Sequence, residues 1–346
     1  MLSVEGDDVD RVVGRPSLKD VAKASGVSYQ SVSRILNDQG RYAAETRERV
    51  RAAAAELGYH RSIAARALVT KRSQVIGVIA DGSPRYGPVS TLAAVERAAR
   101  DARYNTLVVT VRYPTPDELR KAMDDFIEHA VEGVVVIAPR IPMTHASRLK
   151  TYPVPTVMLA PGEVSREGLT VFSEDQEMGA RLATEYLIGL GHRSIAHLAG
   201  SQDWLDGQVR LRGWRSALEA AGLPAPAVMY GDWTGESAYE IGRELVQRGD
   251  LPDAVFAASD LMALAFMRAL NEAGLKVPDD ISIVGFDDNE FAPQMSPPLT
   301  TVRQAFDQVG RRCMEILLGL IDRQPVDALP VTPELVIRQS AAPAKR

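Results

Sequence analysis

The sequence contains a single cysteine, Cys313, so it can form neither an internal disulfide nor a cysteine metal site. It also lacks any run of about 18 apolar residues, the length that a membrane span requires. The first residues, MLSVEGDDVDR, have neither the early positive charge nor the apolar stretch of a secretory signal. We therefore expect a cytoplasmic protein in which Cys313 is a core thiol, because it lies in an apolar helical pattern with Met314, Ile316 and Leu317.

Motifs for catalysis and for cofactors are equally scarce. The sequence has no Gly-rich phosphate loop and no pair of histidines at metal-ligand spacing, so we predict no cofactor and no metal. His192 and His197 flank a predicted strand, which favours a structural role for both.

The chain of 346 residues is long enough for two or three domains. Its 45% hydrophobic and 25% charged residues are near the average for globular proteins, which excludes disordered, collagen-like and fibrous classes. The net charge of −5 is unevenly distributed, with +6 in residues 16–73 and −9 in residues 74–346. A basic module joined to an acidic body indicates a nucleic-acid-binding head, and a solvated basic helix face is the alternative.

Two short helices are predicted after an acidic leader, residues 1–15. Ser17, with Asp20 three positions later, is typical of a capped helix start, and Gly26 ends that helix. Ser28 then opens a second helix that extends to Leu36. A turn of three residues around a glycine, between two helices, is typical of a helix-turn-helix.

The second helix has an apolar face and a polar face. Its apolar positions recur three and four residues apart, and they are Val32, Ile35 and Leu36. The opposite face carries Tyr29, Gln30, Ser33 and Arg34. A third helix, residues 46–57, is expected to complete a small core with Val50, Ala54 and Leu57.

Beyond this head, residues 61–68 are strong helix formers in a segment too short to be stable alone, which indicates a linker that folds when given a surface. From Gln74 onward, apolar runs alternate with amphipathic stretches, as in a parallel α/β sheet, and the pattern occurs twice. We therefore predict two α/β lobes with a cleft between them. The predicted strands are residues 75–79, 106–111, 133–137, 156–159, 194–198, 228–230, 253–257 and 281–285.

Nine short segments along the chain are informative together. They are LKDVA (18–22), GVSYQSVSR (26–34), TR (46–47), GY (58–59), LGHR (190–193), GW (213–214), GDW (231–233), VGFDD (284–288) and PLTTV (298–302). In their order and spacing, these segments resemble the lactose-repressor/galactose-repressor family of bacterial transcription regulators, and the resemblance extends from Ser17 to about Ser340. It implies a sequence-specific repressor of carbohydrate-utilisation genes that a small sugar releases from its operator.

The resemblance also implies an all-α helix-turn-helix head on an α/β two-lobed core like that of periplasmic binding proteins, with two doubly wound parallel sheets. The expected divisions are a disordered leader (1–15), a DNA-binding domain (16–61), a hinge helix or linker (62–73), an N-terminal lobe (74–173 with 302–324) and a C-terminal lobe (174–301 with 325–340).

Base-reading residues follow from the geometry of a helix in the major groove, where side chains of its first turn meet base edges. Tyr29, Gln30 and Arg34 occupy such positions and match the family's readers. Gln offers a donor and an acceptor suited to adenine, and Arg offers a fork suited to guanine. Residues expected to hold phosphates or to position the first helix are Ser28, Ser33, Asn37, Arg41, Leu18 and Lys19. Ordinary exposed polar residues are the alternative interpretation.

In the linker, Leu68 matches the family's wedge leucine, and Ala65 matches the small residue beside it. Such leucines from two subunits open a central base step in the minor groove. The alternative is a leucine that docks the linker on the core. The sequence departs from the family at Arg61 and Ser62, where Pro and Asn are common. It also departs at Ala43, where a capping Ser or Thr is usual, and the absence of that hydroxyl costs the third helix about 1 kcal/mol.

A sugar pocket needs a flat apolar surface and charged groups that make paired hydrogen bonds with hydroxyls. Arg210, Trp233 and Asp287 match the family's effector residues. Trp233 and Asp287 follow strands, where open α/β sheets bind ligands. Gln304, in a crossover between the lobes, is a fourth expected contact.

Each effector residue also has a structural interpretation: Asp287 with Asp288 as a helix cap, Trp233 as a lid over the core, and Arg210 as an ion-pair partner. Trp214 is assigned to packing. Ser259, the fifth expected contact, stands where many relatives have Asn, and Ala160 stands where some have Asp. The tryptophan at position 233 resembles that of β-galactoside responders, so a galactoside or related small saccharide is the predicted effector.

Only eight residues follow Arg338, and they contain no apolar heptad, so we expect a homodimer without the tetramer-forming tail of some relatives. A two-fold dimer implies a pseudo-palindromic double-stranded DNA operator. A corepressor that strengthens DNA binding, in place of an inducer, stays open.

The sequence disfavours two other classes of protein. A solute-binding protein shares the two-lobed core but has an export signal and no DNA module, and this sequence shows the reverse. A glycosidase acting through Asp287 and Asp288 is disfavoured because adjacent residues of an extended segment point in opposite directions and cannot flank one bond.

Overall fold

The computed structural model describes residues 16–37, 39–59, 72–112, 115–147, 154–165 and 168–345. The chain divides into two compact units between Ser73 and Gln74. The predicted leader and most of the predicted linker, with Ala65 and Leu68, lie outside the described residues.

The first unit contains three helices, α1 (Leu18–Ser25), α2 (Tyr29–Leu36) and α3 (Ala44–Glu56). The predicted capping box is present: the Ser17 amide donates to Asp20 Oδ2 at 2.8 Å, and the Asp20 amide donates back to Ser17 Oγ. Gly26 ends α1 at a φ of 63°, a left-handed conformation that favours glycine. Ser28 caps α2 by accepting from the Ser31 amide at 3.2 Å.

The core of this unit is small and is built from all three helices. Its buried residues are Val21, Val32, Ile35, Leu36, Val50, Ala53 and Ala54. The prediction that Leu57 belongs to this core is wrong: Leu57 is 37% exposed, because α3 ends at Glu56 and Leu57 is its C-cap. Tyr59 packs against the core in its place, held by a bond from its amide to the Ala54 carbonyl.

The second unit begins with a five-stranded sheet whose order is β2-β1-β3-β4-β5, and every pairing in it is parallel. Its strands are β1 (Val75–Asp81), β2 (Asn105–Val111), β3 (Gly133–Ile137), β4 (Thr156–Leu159) and β5 (Thr170–Phe172). The helices between them are α4 (Tyr86–Asp101), α5 (Pro116–Glu128) and α6 (Ile141–Ser147). The sheet is the centre of the N-terminal lobe.

A second sheet of six strands forms the C-terminal lobe, in the order β11-β10-β9-β8-β6-β7. Its strands are β6 (Ile195–Ala199), β7 (Met229–Tyr230), β8 (Ala254–Ala257), β9 (Ser282–Asp287), β10 (Thr300–Arg303) and the antiparallel edge strand β11 (Glu334–Val336). Its helices are α7 (Gln176–Gly189), α8 (Leu205–Ala220), α9 (Gly235–Arg248), α10 (Asp260–Glu272) and a short 3₁₀ helix (Ala292–Gln294).

The chain passes between the lobes more than once. After β5 it crosses into α7, and after β10 it returns as α11 (Phe306–Ile321), which packs on α4 and β3. Because β10 pairs with β9 as far as Arg303, the return falls after that residue and not at 302 as expected. Cys313 is buried in α11, and burial raises the pKa of its thiol to about 12. In the described part of the chain, no helix has the length and apolar character to cross a bilayer.

A serine at position 43 should stabilise the third helix. Ala43 has the extended backbone of an N-cap (φ −58°, ψ 145°) but no capping hydroxyl. Ala43→Ser should add about 1 kcal/mol, which would slow amide hydrogen exchange in α3 roughly fivefold. The measurement is exchange mass spectrometry on the full chain. Ala55→Ser, at an exposed position inside the same helix, is the control, and equal protection in both variants would contradict the capping argument.

Candidate nucleic-acid interface and ligand cleft

The outer face of α2 is polar and available for contact. Tyr29 is 51% exposed, and Gln30 and Arg34 are also exposed. Among the described residues, none forms a hydrogen bond or ion pair with these three side chains. The opposite face of the helix is anchored by Val32 and Ile35, so the orientation of the polar face is fixed.

The other predicted DNA contacts surround this face in different ways. Lys19 and Arg41 are exposed, and Ser33 is half-buried. The Ser28 hydroxyl is engaged in capping α2, and Asn37 is the residue that ends α2. Leu18 is half-buried against the core of the head. These positions suit side chains that hold the head on a DNA backbone.

A cavity of about 330 Å³ lies between the two lobes of the second unit. The N-terminal lobe contributes the segment 84–89. The C-terminal lobe contributes Trp204, Asp206, Arg210, Trp233, Ser259, Leu261, Asp287, Asn289 and Phe291. Four of the five predicted effector residues are thus brought together, and Gln304 does not line this cavity.

Arg210 is the buried cation of the cleft, with 3% of its surface exposed. Its Nε donates to Gln176 Oε1 at 2.9 Å, and Nη1 donates to the Ala258 carbonyl. Nη1 also lies 3.6 Å from Asp287 Oδ1. The guanidinium stacks 3.6 Å from the centre of the Phe286 ring, which leaves it little freedom to turn.

Gln304 connects two of the residues that contact Arg210. Its Nε2 donates to Asp287 Oδ1 at 2.7 Å, and its Oε1 accepts from Gln176 Nε2 at 2.8 Å. Arg210, Gln176, Gln304 and Asp287 therefore form a closed ring of polar contacts. Gln304 orients Asp287 towards Arg210.

Trp233 and Asp287 are held in unusual backbone conformations. Trp233 has a φ of 71° and Asp287 a φ of 114°, both in the region that side chains other than glycine avoid. Arg85 of the N-terminal lobe donates to the Trp233 carbonyl at 3.0 Å, and a side chain at Gly200 would overlap the indole. Such strain concentrates at ligand sites, where it fixes side chains in position.

Asp288 points away from its neighbour, as expected for adjacent residues. Its carboxylate accepts from Arg303 and from Arg338, each at 2.7 Å, while Asp287 faces Arg210. The two carboxylates thus do not face one bond. Ser259 caps α10, because its Oγ accepts from the Met262 amide at 3.3 Å.

The residues assigned to structure are buried and bonded. Trp214 is fully buried and donates from Nε1 to the Ile195 carbonyl at 3.1 Å. His197 Nδ1 bonds the Phe256 carbonyl, and burial lowers the pKa of this histidine to about 4, so it is neutral. His192 Nε2 lies 3.0 Å from the Ala342 carbonyl.

The sequence did not predict several residues that line the cleft or its inner end. They are Arg85, Glu174, Gln176, Trp204 and Asp206. Asp206 lies four residues before Arg210 in α8, so helical spacing was an available signal for it. Arg85 and Trp204 precede helices, where side-chain direction has no periodic signal. Burial raises the pKa of Asp206, that of Asp287 to about 6 and that of Glu174 to about 7.

Comparison with known proteins gives two matching families. Residues 17–62 match the bacterial regulatory proteins of the lacI family, and residues 184–341 match the periplasmic binding protein-like domain. The lactose operon repressor of Escherichia coli is 33% identical over 93% of this chain and 89% of its own length. The transcriptional regulator CelR of Thermobifida fusca is 34% identical over 94% of this chain and 98% of its own length. This chain belongs to the LacI family.

Solved structures of LacI-family proteins agree with this membership. The Lac repressor dimer bound to operator and the anti-inducer ONPF superposes with a TM-score of 0.82, at 33% identity, over 94% of this chain and 99% of that one. A CelR–cellobiose complex superposes with a TM-score of 0.68 over 94% of this chain and 100% of that one. The fold class expected from the sequence, a helical DNA-binding head with two α/β lobes, is confirmed. The relatives of this chain are transcriptional regulators and not enzymes.

Replacing Glu174 by glutamine should change how stability depends on pH. Because burial raises this pKa from 4.5 to about 7, the unfolded chain releases the proton at lower pH than the folded chain. Glu174 therefore lowers stability as pH rises from about 4.5 to 7. Glu174→Gln keeps an acceptor for the Ala305 amide and removes this pH-dependent loss of stability. The free energy of unfolding should therefore rise by up to about 3 kcal/mol at pH 8, and this gain should disappear near pH 4.5.

The measurement is urea unfolding from pH 4.5 to 8, followed by the fluorescence of the three tryptophans, all of which lie in the C-terminal lobe. Glu219→Gln, a change at an exposed position of α8, is the control. A constant difference between Glu174→Gln and the parent would contradict the assigned pKa.

Proposed function

We propose that this LacI-family protein is a homodimeric repressor that binds a pseudo-palindromic operator and is released by a small neutral saccharide. One observation carries the proposal: α2 presents Tyr29, Gln30 and Arg34 outward while a separate unit of the same chain holds a cleft built around Arg210 and Asp287. The head is taken as residues 16–61, the linker as 62–73, and the remainder as the ligand-binding core. Its site of action is the nucleoid in the bacterial cytoplasm.

The size and exposure of α2 suit the major groove. A helix whose apolar side is buried can enter the groove only with its polar side, where Gln30 and Arg34 offer bidentate hydrogen bonds to adenine and guanine. Ser33, Asn37, Arg41 and Lys19 then hold phosphates, which fix register without reading sequence.

Dimerisation is proposed from the relatives, which include a Lac repressor dimer on its operator. In a dimer, the linkers of the two subunits meet at the operator centre. Leu68 would open a base step there, with Ala65 allowing close approach. The proposed two-fold symmetry of the protein is matched by two operator half-sites.

The chemistry of the cleft suits a saccharide. Trp233 offers a flat apolar surface, packed against Trp204 with ring centres 5.9 Å apart, for the C–H face of a sugar ring. Arg210 and Asp287 offer a charged donor and acceptor for adjacent hydroxyls. We propose a galactoside or related small saccharide; cellobiose, which the CelR complex contains, belongs to the same chemical class.

Ligand and DNA act on one equilibrium between two arrangements of the lobes. One arrangement brings the two linkers together and favours the operator, and the effector favours the other. Moving the population from 1:99 to 99:1 requires a differential binding free energy of about 5.5 kcal/mol. A corepressor, which would favour the DNA-binding arrangement, is the alternative and predicts tighter operator binding with ligand.

Removing a base-reading side chain should reduce discrimination between operators. Gln30→Ala or Arg34→Ala should each cost about 1–3 kcal/mol in the preference for a matched over a mismatched site, because a bidentate contact is lost. Arg41→Ala is the contrasting variant, expected to weaken all sites equally and to lower the salt slope by about one. Fluorescence anisotropy with both duplexes measures this, and unchanged preference in both reader variants would exclude them as readers.

The effector response should depend on Asp287. Asp287→Asn keeps an acceptor for Gln304 but removes the charge that faces Arg210 and the ligand hydroxyls. Operator affinity without sugar should stay within about threefold, while the sugar concentration needed for release should rise at least tenfold. Asp253→Asn, outside the cleft lining, is the control. A full response in Asp287→Asn would remove Asp287 from the site.

A further inference from the structure

The cleft continues inward past Asp206 into a second, smaller chamber. The outer cavity and this inner chamber of about 60 Å³ share Gly87, Pro88 and Asp206 in their linings. The inner chamber has room for a few water molecules or for one ligand substituent of that size. Its polar wall includes Glu174, Gln176, Gln304 and Asp206.

Two carboxyl groups of this wall have acceptor capacity that the protein does not use. Glu174 is 5% exposed; its Oε1 accepts from the Ala305 amide at 2.7 Å, and its Oε2 has no partner among the described residues. Within the same part of the chain, no residue donates a hydrogen bond to the Asp206 carboxylate. The buried Glu174 Oε2 without a donor costs free energy, whereas the Asp206 carboxylate is half-buried at the chamber wall. A bound hydroxyl would supply a donor to either group.

We propose that the inner chamber is a subsite for a hydroxyl-bearing arm of the effector, and that Asp206 selects a neutral arm over one that carries a carboxylate or phosphate. The inference rests on the proposed function, because it takes a saccharide to occupy the outer cavity. The ring lies against Trp233, and one arm, such as a hydroxymethyl group, extends past Asp206 towards Glu174.

Charge is the basis of the selection. Asp206 lines both chambers, so its carboxylate lies at the passage between them, and Asp287 lines the outer cavity. A negative charge on the ligand beside these carboxylates would be repelled in a site with little water. Arg210 compensates the charge of such an arm only in part, because its guanidinium already faces the Asp287 carboxylate, with Nη1 3.6 Å from Oδ1.

A purely structural role for Asp206 is the competing explanation, since an acidic residue in the first turn of α8 interacts favourably with the helix dipole. That role would change the stability of the protein and leave the choice between ligands unchanged. The test therefore measures a ratio of affinities, which loss of stability alone does not alter.

The experiment is calorimetric titration of the full chain, without DNA, at pH 7.5. The probes are two pairs: methyl β-galactopyranoside with its uronic acid, and cellobiose with cellobiouronic acid. The parent should bind the neutral member of at least one pair roughly a hundredfold more tightly than the acid. Asp206→Asn should weaken neutral binding about tenfold and reduce the neutral-to-acid ratio at least tenfold. Asp203→Asn, an exposed neighbour that removes the same charge, should leave the ratio unchanged.

Three results would overturn the inference: equal binding of acid and neutral sugar by the parent, a ratio in Asp206→Asn within twofold of the parent's, or the same reduction of the ratio in Asp203→Asn. If neither neutral probe binds, the inference fails together with the saccharide part of the proposed function. Operator discrimination by Gln30 and Arg34, measured without ligand, then shows whether the DNA-binding part still holds.

Discussion

The arrangement of the cleft depends on one buried guanidinium. Arg210 is 3% exposed, and a cation at such a position costs several kcal/mol unless it is paired and hydrogen-bonded. Its partners come from three places: Gln176 at the start of α7, the Ala258 carbonyl after β8, and Asp287 at the end of β9. Gln304 bonds both Gln176 and Asp287, so it extends the constraint to the segment that crosses between the lobes. A ligand that competes for Asp287 therefore acts directly on the lobe connection.

The DNA-binding head is governed by different physics. Seven small or medium apolar residues form its core, and the caps Ser17 and Ser28 fix where its helices begin. Such a core is marginal, as expected for a domain of this size. Among the described residues, this core contains no residue of the cleft. In the proposed mechanism the head therefore keeps the polar face of α2 while the core changes arrangement. In the proposed mechanism, ligand and operator therefore communicate through the linkers, which determine whether two intact heads are held at the right spacing.

The local signals that predicted this fold from sequence are those with a short physical range. Ser17 with Asp20, Gly26 and Ser28 are capping positions, and buried parallel strands such as β3 are uninterrupted apolar runs. The strands β5, β10 and β11 were missed because their sequences, TVF, TTVR and ELV, contain no apolar run longer than two residues. The site shows the same division: Arg210 and Asp287 follow from family motifs, whereas Arg85 reaches the cleft only through tertiary contact with Trp233. Gln304 was predicted as a ligand contact, and its bonds to Asp287 and Gln176 are visible only in three dimensions.

In the proposed mechanism a small ligand shifts the arrangement of the lobes, and the contacts that join the lobes beside the cleft bear on how easily it does so. They include hydrogen bonds from the Ile141 amide to the Asp203 carbonyl at 3.0 Å, from the Leu205 amide to the Pro139 carbonyl at 2.8 Å, and from Arg85 to the Trp233 carbonyl. Each is a bond that water can replace, and each contributes about 0.5–1.5 kcal/mol. Their sum is comparable with the differential binding free energy of a few kcal/mol that a ligand gripping both lobes supplies. Leu205 adds an apolar contact with the core of the N-terminal lobe. In the proposed mechanism, an apolar interface of domain-core size would lock one arrangement, so the small extent of these contacts keeps the equilibrium within reach of an effector.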